Sequence, residues 1–254
     1  MNKPIVESED LAKQDWRLRA ASSLAKPFIS PWTGVTLPVG TAVTQSSSMS
    51  VDGARFNFGV PSATALFLDL SKKAFEEAKI IRAQTTFFNS SSGKMPFIES
   101  DMLFDYLEQM MASVVFAYTS VESFTNSAIP EGHIHKEARK DGRCIEEYSK
   151  DQMERSLSLD KKLEILIQLP ASNGVINPKG TALWERFQNL EALRDRIIHL
   201  KSADIKASKP DDPIPDTIWQ ELLKMPDSFQ IAVEVLRHYS GTHQPRWLRK
   251  FILD

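Results

Sequence analysis

The segment DYLEQMMASVVFAYTSVESFTNSAI, residues 105–129, carries Leu107, Met111, Val114, Tyr118 and Val121 at steps of four, three, four and three. Each residue advances about 100° around a helix, so these five side chains form a single stripe. Pro130 and Gly132 end the run. A helix of this length must bury its stripe against other elements, which makes it the natural centre of a helical layer.

Its surroundings carry the same signature. ATALFLDLSKKAFEEAKIIRAQ, residues 63–84, brings Phe67 or Leu68, Phe75 and Ala78 near one face and fills the other with Lys, Glu and Arg. SLSLDKKLEILIQLP offers Ser158 as a cap and Pro170 as a stop. TALWERFQNLEALRDRIIHLK, residues 181–201, is the most helix-like stretch of all, and TIWQELLKMPDSFQIAVEVLRHYSG, residues 217–241, reads as helical pieces interrupted at Pro226. Between them lie a Ser/Gly break at residues 89–96, a charged segment at residues 133–155, the connector ASNGVINPKG, and a loop with Pro210, Pro213 and Pro215.

Residues 26–61 differ, being rich in Pro, Gly, Ser, Thr and Val with only Lys26, Asp52 and Arg55 charged, a mixture suited to loops and short strands. The expectation is a mainly α protein: an antiparallel helical bundle with an irregular, part-β N-terminal region. The boundary is expected between residues 96 and 97, with an N-terminal region at 1–96 packed on the bundle and the bundle with its basic, aromatic tail at 97–254. Strands and helices do not alternate as a Rossmann or TIM architecture requires, and no repeat period stands out.

Of 254 residues, 42% are hydrophobic and 25% charged, the balance of a chain that folds around a core. A net charge of −2 provides no overall basic field for nucleic acid, so any such contact must come from a local patch. The single cysteine, Cys144, excludes an internal disulfide and any multi-cysteine zinc site. The first residues are polar, without an apolar leader, and no apolar run approaches the roughly 20 residues of a spanning helix. A cytoplasmic location and no membrane partner are expected.

Within residues 181–201, Leu183, Phe187, Leu190, Arg194 and Ile197 share one narrow arc. Burying an unpaired guanidinium costs several kcal/mol, about 3–5 on removal of a partner, so Arg194 needs a carboxylate, a backbone acceptor, a subunit boundary or an anionic ligand. His199 falls about 140° round, towards Gln188 and Asp195, and Asp195 lies one turn before it, within reach of the imidazole. His133 and His135 stand two apart in a loop without a completing ligand set, and no metal or cofactor is expected. Ser120 and Thr119 have no base at a recognisable spacing. In the tail, Arg237, His238, Arg246, Arg249 and Lys250 interleave with Tyr239, Trp247 and Phe251, either as a single-stranded RNA surface or with the aromatics packed on the core.

The motif RDRIIH, Arg194 to His199, resembles the signature of the HEPN superfamily: Arg, a small polar residue, a short spacer and His. FAYTSVESFTNSAIP resembles the earlier HEPN helix with its polar Glu122 and Asn126, and SLDKKLEIL followed by LWERFQNLEALRDRIIH resembles the order and spacing of that superfamily. The resemblance covers residues 97–201. It implies an all-α domain that homodimerises so that two motif helices face one cleft, and a metal-independent ribonuclease leaving 2',3'-cyclic phosphate and 5'-hydroxyl ends. His199 would move protons at the ribose 2'-OH or leaving 5'-oxygen, Arg194 would bind the scissile phosphate and Asp195 would orient His199. Arg196 and Lys201 would hold flanking phosphates, while Glu122 and Asn126 would either face the site or lie on the solvent side. A toxin-like or phage-defence role, with RNA and an antitoxin protein as partners, belongs to the same implication. The alternative is a non-catalytic HEPN-like dimeric module binding RNA, nucleotide or a partner protein.

Overall fold

A computed structural model describes residues 13–19, 21–30, 34–84, 100–138, 142–170, 174–207, 216–242 and 244–251. The expected break at residues 89–96, the first twelve residues and Pro210, Pro213 and Pro215 lie outside them. Among the described residues the chain is mainly α. The helices are α1 (Ala63–Gln84), α2 (Ser100–Ala128), α3 (Lys150–Ser156), α4 (Leu159–Gln168), α5 (Ala182–Ile198), α6 (Ile218–Leu223), α7 (Ser228–Ser240) and α8 (Arg246–Lys250). The strands are β1 (Ala21–Ser23), β2 (Phe28–Ile29), β3 (Thr36–Leu37), β4 (Ala42–Thr44), β5 (Ser46–Val51), β6 (Ala54–Gly59), β7 (His135–Ala138) and β8 (Ile145–Tyr148). None of the described helices is long and apolar enough to cross a membrane.

The chain divides into two units, Met1–Leu66 with Pro245–Asp254, and Phe67–Gln244. This differs from the expected division after residue 96 for two physical reasons. The Ser71 hydroxyl donates to the Ser113 carbonyl at 2.9 Å and Phe67 stacks on Phe116, so α1 beyond Leu66 belongs with the helices. The tail turns back instead: Arg246 donates to the carbonyls of Gln14 and Asp15, and Phe251 meets Trp16 edge-on at 5.1 Å.

In the first unit, β1 pairs with β4, β2 with β3 and β5 with β6, all antiparallel. The β5–β6 hairpin closes through Asp52 and Gly53, at φ +50° and +79°, the two left-handed positions of a type I′ turn. Register pairs Met49 with Phe56 and Ser48 with Asn57, so one face is apolar and the other polar.

In the second unit α2 is the central helix, packing against α4, α5, α6 and α7. The expected stripe supplies its core: Leu107, Val114, Tyr118 and Val121 are buried, with Met110, Ala117 and Phe124 beside them. Small residues let helices approach closely where Ser113 contacts Ser71 of α1 and, at 2.7 Å, the hydroxyl of Ser228 in α7. Tyr106 of α2 donates to the Leu222 carbonyl and Arg82 of α1 to that of Leu223, satisfying the open carbonyl end of α6. Ser158 caps α4 by accepting from the Lys161 amide, and Thr181 caps α5 through Trp184. The charged segment contains the β7–β8 hairpin and α3, which opens on a reciprocal Ser149–Gln152 capping box.

Candidate functional site

Trp184, Phe187, Leu190 and Ile197 fix α5 against the bundle, and Phe187 stacks on Tyr118 with centroids 6.1 Å apart. Arg194 is the next position along that face. Its guanidinium lies over the same Tyr118 ring, 3.8 Å from the centroid, and Nη1 pairs with Asp195 Oδ1 at 2.8 Å. A flat, weakly hydrated cation on an aromatic face is the physical answer to an arginine in an apolar stripe, strengthened by the adjoining carboxylate. Arg194 Nε is buried without a partner among the described residues.

Below this stack the Tyr118 hydroxyl donates to Glu191 Oε1 at 2.9 Å. Burial pushes the Tyr118 phenol well up, and the adjacent Glu191 charge adds to it. Burial likewise raises the Glu191 carboxyl, against the lowering effect of the Tyr118 hydrogen bond, with Asp160 and Asp195 adding like-charge repulsion.

On the other side of α5 a groove of about 780 Å³ runs between the helix and the α6–α7 elbow. Leu190, Leu193 and Ile231 provide apolar lining, and Asp195, Arg196, His199, Lys201 and Lys224 its polar groups. The size falls within the range of small-molecule sites. His199 is the exposed C-cap of α5, its amide donating to the Asp195 carbonyl at 2.8 Å. The His199 imidazole and the Lys201 ammonium make no hydrogen bond or ion pair among the described residues, so both are free to meet a ligand. The other cations are engaged: Arg186 with Glu234, Lys224 with Glu221, and Arg196 with Asp204 and the Asp216 carbonyl.

The sequence-predicted residues therefore fall in three places. Asp195, Arg196, His199 and Lys201 meet at the groove. Arg194 is not among its lining residues, whereas its ion-pair partner Asp195 is, and the His199 amide donates to the Asp195 carbonyl. Glu122 and Asn126 turn to Lys162, whose ammonium donates to Asn126 Oδ1 at 3.0 Å and the Glu154 carbonyl at 3.1 Å and lies 3.6 Å from Glu122. Arg196 is spent on Asp204 within the chain, leaving Lys201 as the groove cation without an ion pair among the described residues.

Tyr239, Trp247 and Phe251 are buried, so the aromatic faces of the tail are used in packing. Among the described residues no cluster of three or more His, Cys, Asp or Glu is placed to hold a metal. Sequence reasoning missed Asp204 and Lys162. The available signal for Asp204 was an acid three residues after Lys201, the spacing at which a carboxylate can accept from a backbone amide. No family model, curated protein or solved structure matches the chain.

Proposed function

We propose that the chain is a HEPN-type endoribonuclease acting without metal as a homodimer in the cytoplasm, in a toxin-like or phage-defence role. The observation that supports this best is that the imidazole of His199 and the ammonium of Lys201, neither bonded among the described residues, line one open groove at the end of the helix that carries Arg194 and Asp195. In this reading His199 takes the proton of a ribose 2'-OH. The 2'-oxygen then attacks the neighbouring phosphorus, the P–O5' bond breaks and the 5'-oxygen takes a proton back from the His199 imidazolium, leaving a 2',3'-cyclic phosphate and a 5'-hydroxyl. Lys201 balances phosphate charge, and Arg194 reaches the phosphate from the facing copy of the helix.

The second reading, a non-catalytic module of the same HEPN-like bundle, is favoured by one observation: Arg194 already has Tyr118 and Asp195 as partners and does not line the groove. Purified protein and His199→Ala are incubated with total RNA and tRNA in EDTA, and fragment ends are identified. Cleavage by the wild type alone, leaving cyclic phosphates, is the expected result. Intact RNA from both folded proteins transfers the assignment to the binding module.

A further inference from the structure

The turn after α5 has little apolar material with which to hold a shape: Leu200 and Ile205 are exposed, and the stretch begins with exposed His199. Its order comes from one carboxylate. Asp204 has a fully buried side chain, and each of its oxygens accepts two hydrogen bonds. Oδ1 takes Arg196 Nη2 at 2.8 Å and the Ile218 amide at 2.7 Å; Oδ2 takes the Lys201 amide at 3.0 Å and Arg196 Nε at 3.4 Å. Its own amide donates to the Lys201 carbonyl at 2.9 Å, and its carbonyl accepts from Trp219 Nε1 at 2.7 Å.

These partners bracket His199 in the chain. Arg196 is three residues before it, on the last turn of α5, and Lys201 two residues after it. One buried anion holds both, while the Ile218 amide on its carboxylate and Trp219 Nε1 on its backbone carbonyl tie Asp204 to α6, which together with the α6–α7 elbow lines the opposite side of the groove through Glu221 and Lys224. Such a charge is stable only because four donors meet it, so the arrangement is stiff and admits one geometry.

We propose that Asp204 is the positioning residue of the groove, fixing the backbone on both sides of His199 and so the place of its imidazole relative to Lys201. Its catalytic meaning rests on the ribonuclease reading; its hold on His199 does not. Proton transfer needs a base held within hydrogen-bond reach of the proton it removes, and a displacement near 1 Å can cost roughly 10²-fold in rate.

The test uses full-length wild type, Asp204→Asn and Arg196→Gln, with His199→Gln to assign the His199 ring resonances by NMR. Asn cannot accept from all four donors, and Arg196→Gln weakens the same cluster from the part-exposed side, so it decides the matter should Asp204→Asn not fold. Circular dichroism of the folded variants is expected to match wild type while the His199 amide and ring signals shift from their wild-type positions. RNA turnover is expected to fall about 10²-fold in kcat with little change in KM. His199 signals unchanged in a folded variant overturn the proposal, whatever the RNA assay gives. Intact RNA from the wild type, with His199 still moving in the variants, removes the ribonuclease reading and leaves the positioning role standing.

Discussion

Arg194 lies over the ring of Tyr118, its guanidinium carbon 3.8 Å from the centroid, with about a quarter of its side chain exposed. The stack replaces the neighbouring-helix carboxylate that an arginine in such a stripe would ordinarily need. A double-mutant cycle with Arg194→Met and Tyr118→Leu, followed by urea unfolding, is expected to give a coupling of about 1 kcal/mol. Additive losses would mean that the ring merely fills space beneath the arginine.

Lys162 is a buried cation, 1% exposed, and holds Asn126 on α2 to the Glu154 carbonyl of α3. Lys162→Ala removes both the stem and the donors and is expected to cost about 3 kcal/mol. Lys162→Met keeps the stem and is expected to cost roughly half as much, because only the unmet acceptors remain. Equal losses in urea unfolding would place all of the effect in the ammonium and none in its packing.

The helices were legible because each closes on local signals. α1 spans the stretch that periodicity marked, and Ser158 and Pro226 act as cap and interruption. The β7–β8 hairpin was not, since the less exposed side of β7 carries His135 and Glu137 and that of β8 Glu146 and Tyr148, leaving no hydropathy alternation. At the site, spacing placed His199 and Lys201 near each other in the chain but could not show the Tyr118 ring under Arg194, which lies on a different helix. Arg196 looked available for phosphate because its true acceptor, Asp204, sits in a stretch read as loop. A buried polar cluster is decided by tertiary neighbours, and neither periodicity nor propensity carries that information.

In the first unit, Gly59 ends β6 with ordinary backbone angles, and its constraint is space: a Cβ there would come 2.5 Å from Leu18 Cδ2. Gly59→Ala is expected to cost about 1 kcal/mol by displacing Leu18, and Leu18→Ala in the same chain to recover part of that loss. Thermal melts of the two singles and the double would show this. A double mutant as unstable as the sum of the singles would locate the cost elsewhere.

The site also carries two acids whose stability contributions run in opposite directions with pH. Burial alone would raise Asp204, but hydrogen bonds from Ile218, Arg196 and Lys201 outweigh it and hold the carboxyl below its ordinary value. A lowered folded pKa gives stability that is present above the unfolded value of about 3.9 and lost as pH falls through the folded one. The advantage of wild type over Asp204→Asn is therefore expected to be full at neutral pH and to shrink below about pH 4.

Glu191 behaves in the opposite sense. Burial raises its folded pKa, so the unfolded chain releases this proton first as pH rises, and stability falls from about pH 4.3 up to the folded value. Glu191→Gln keeps an acceptor for the Tyr118 hydroxyl and has no proton to lose. It also removes the repulsion that the Asp160 charge exerts on Glu191. Urea unfolding of both proteins from pH 4 to 8 should show the variant gaining on wild type as pH increases. A constant difference across that range would show that Glu191 titrates alike in the folded and unfolded chains, and that the Tyr118 hydroxyl offsets the cost of burying its charge.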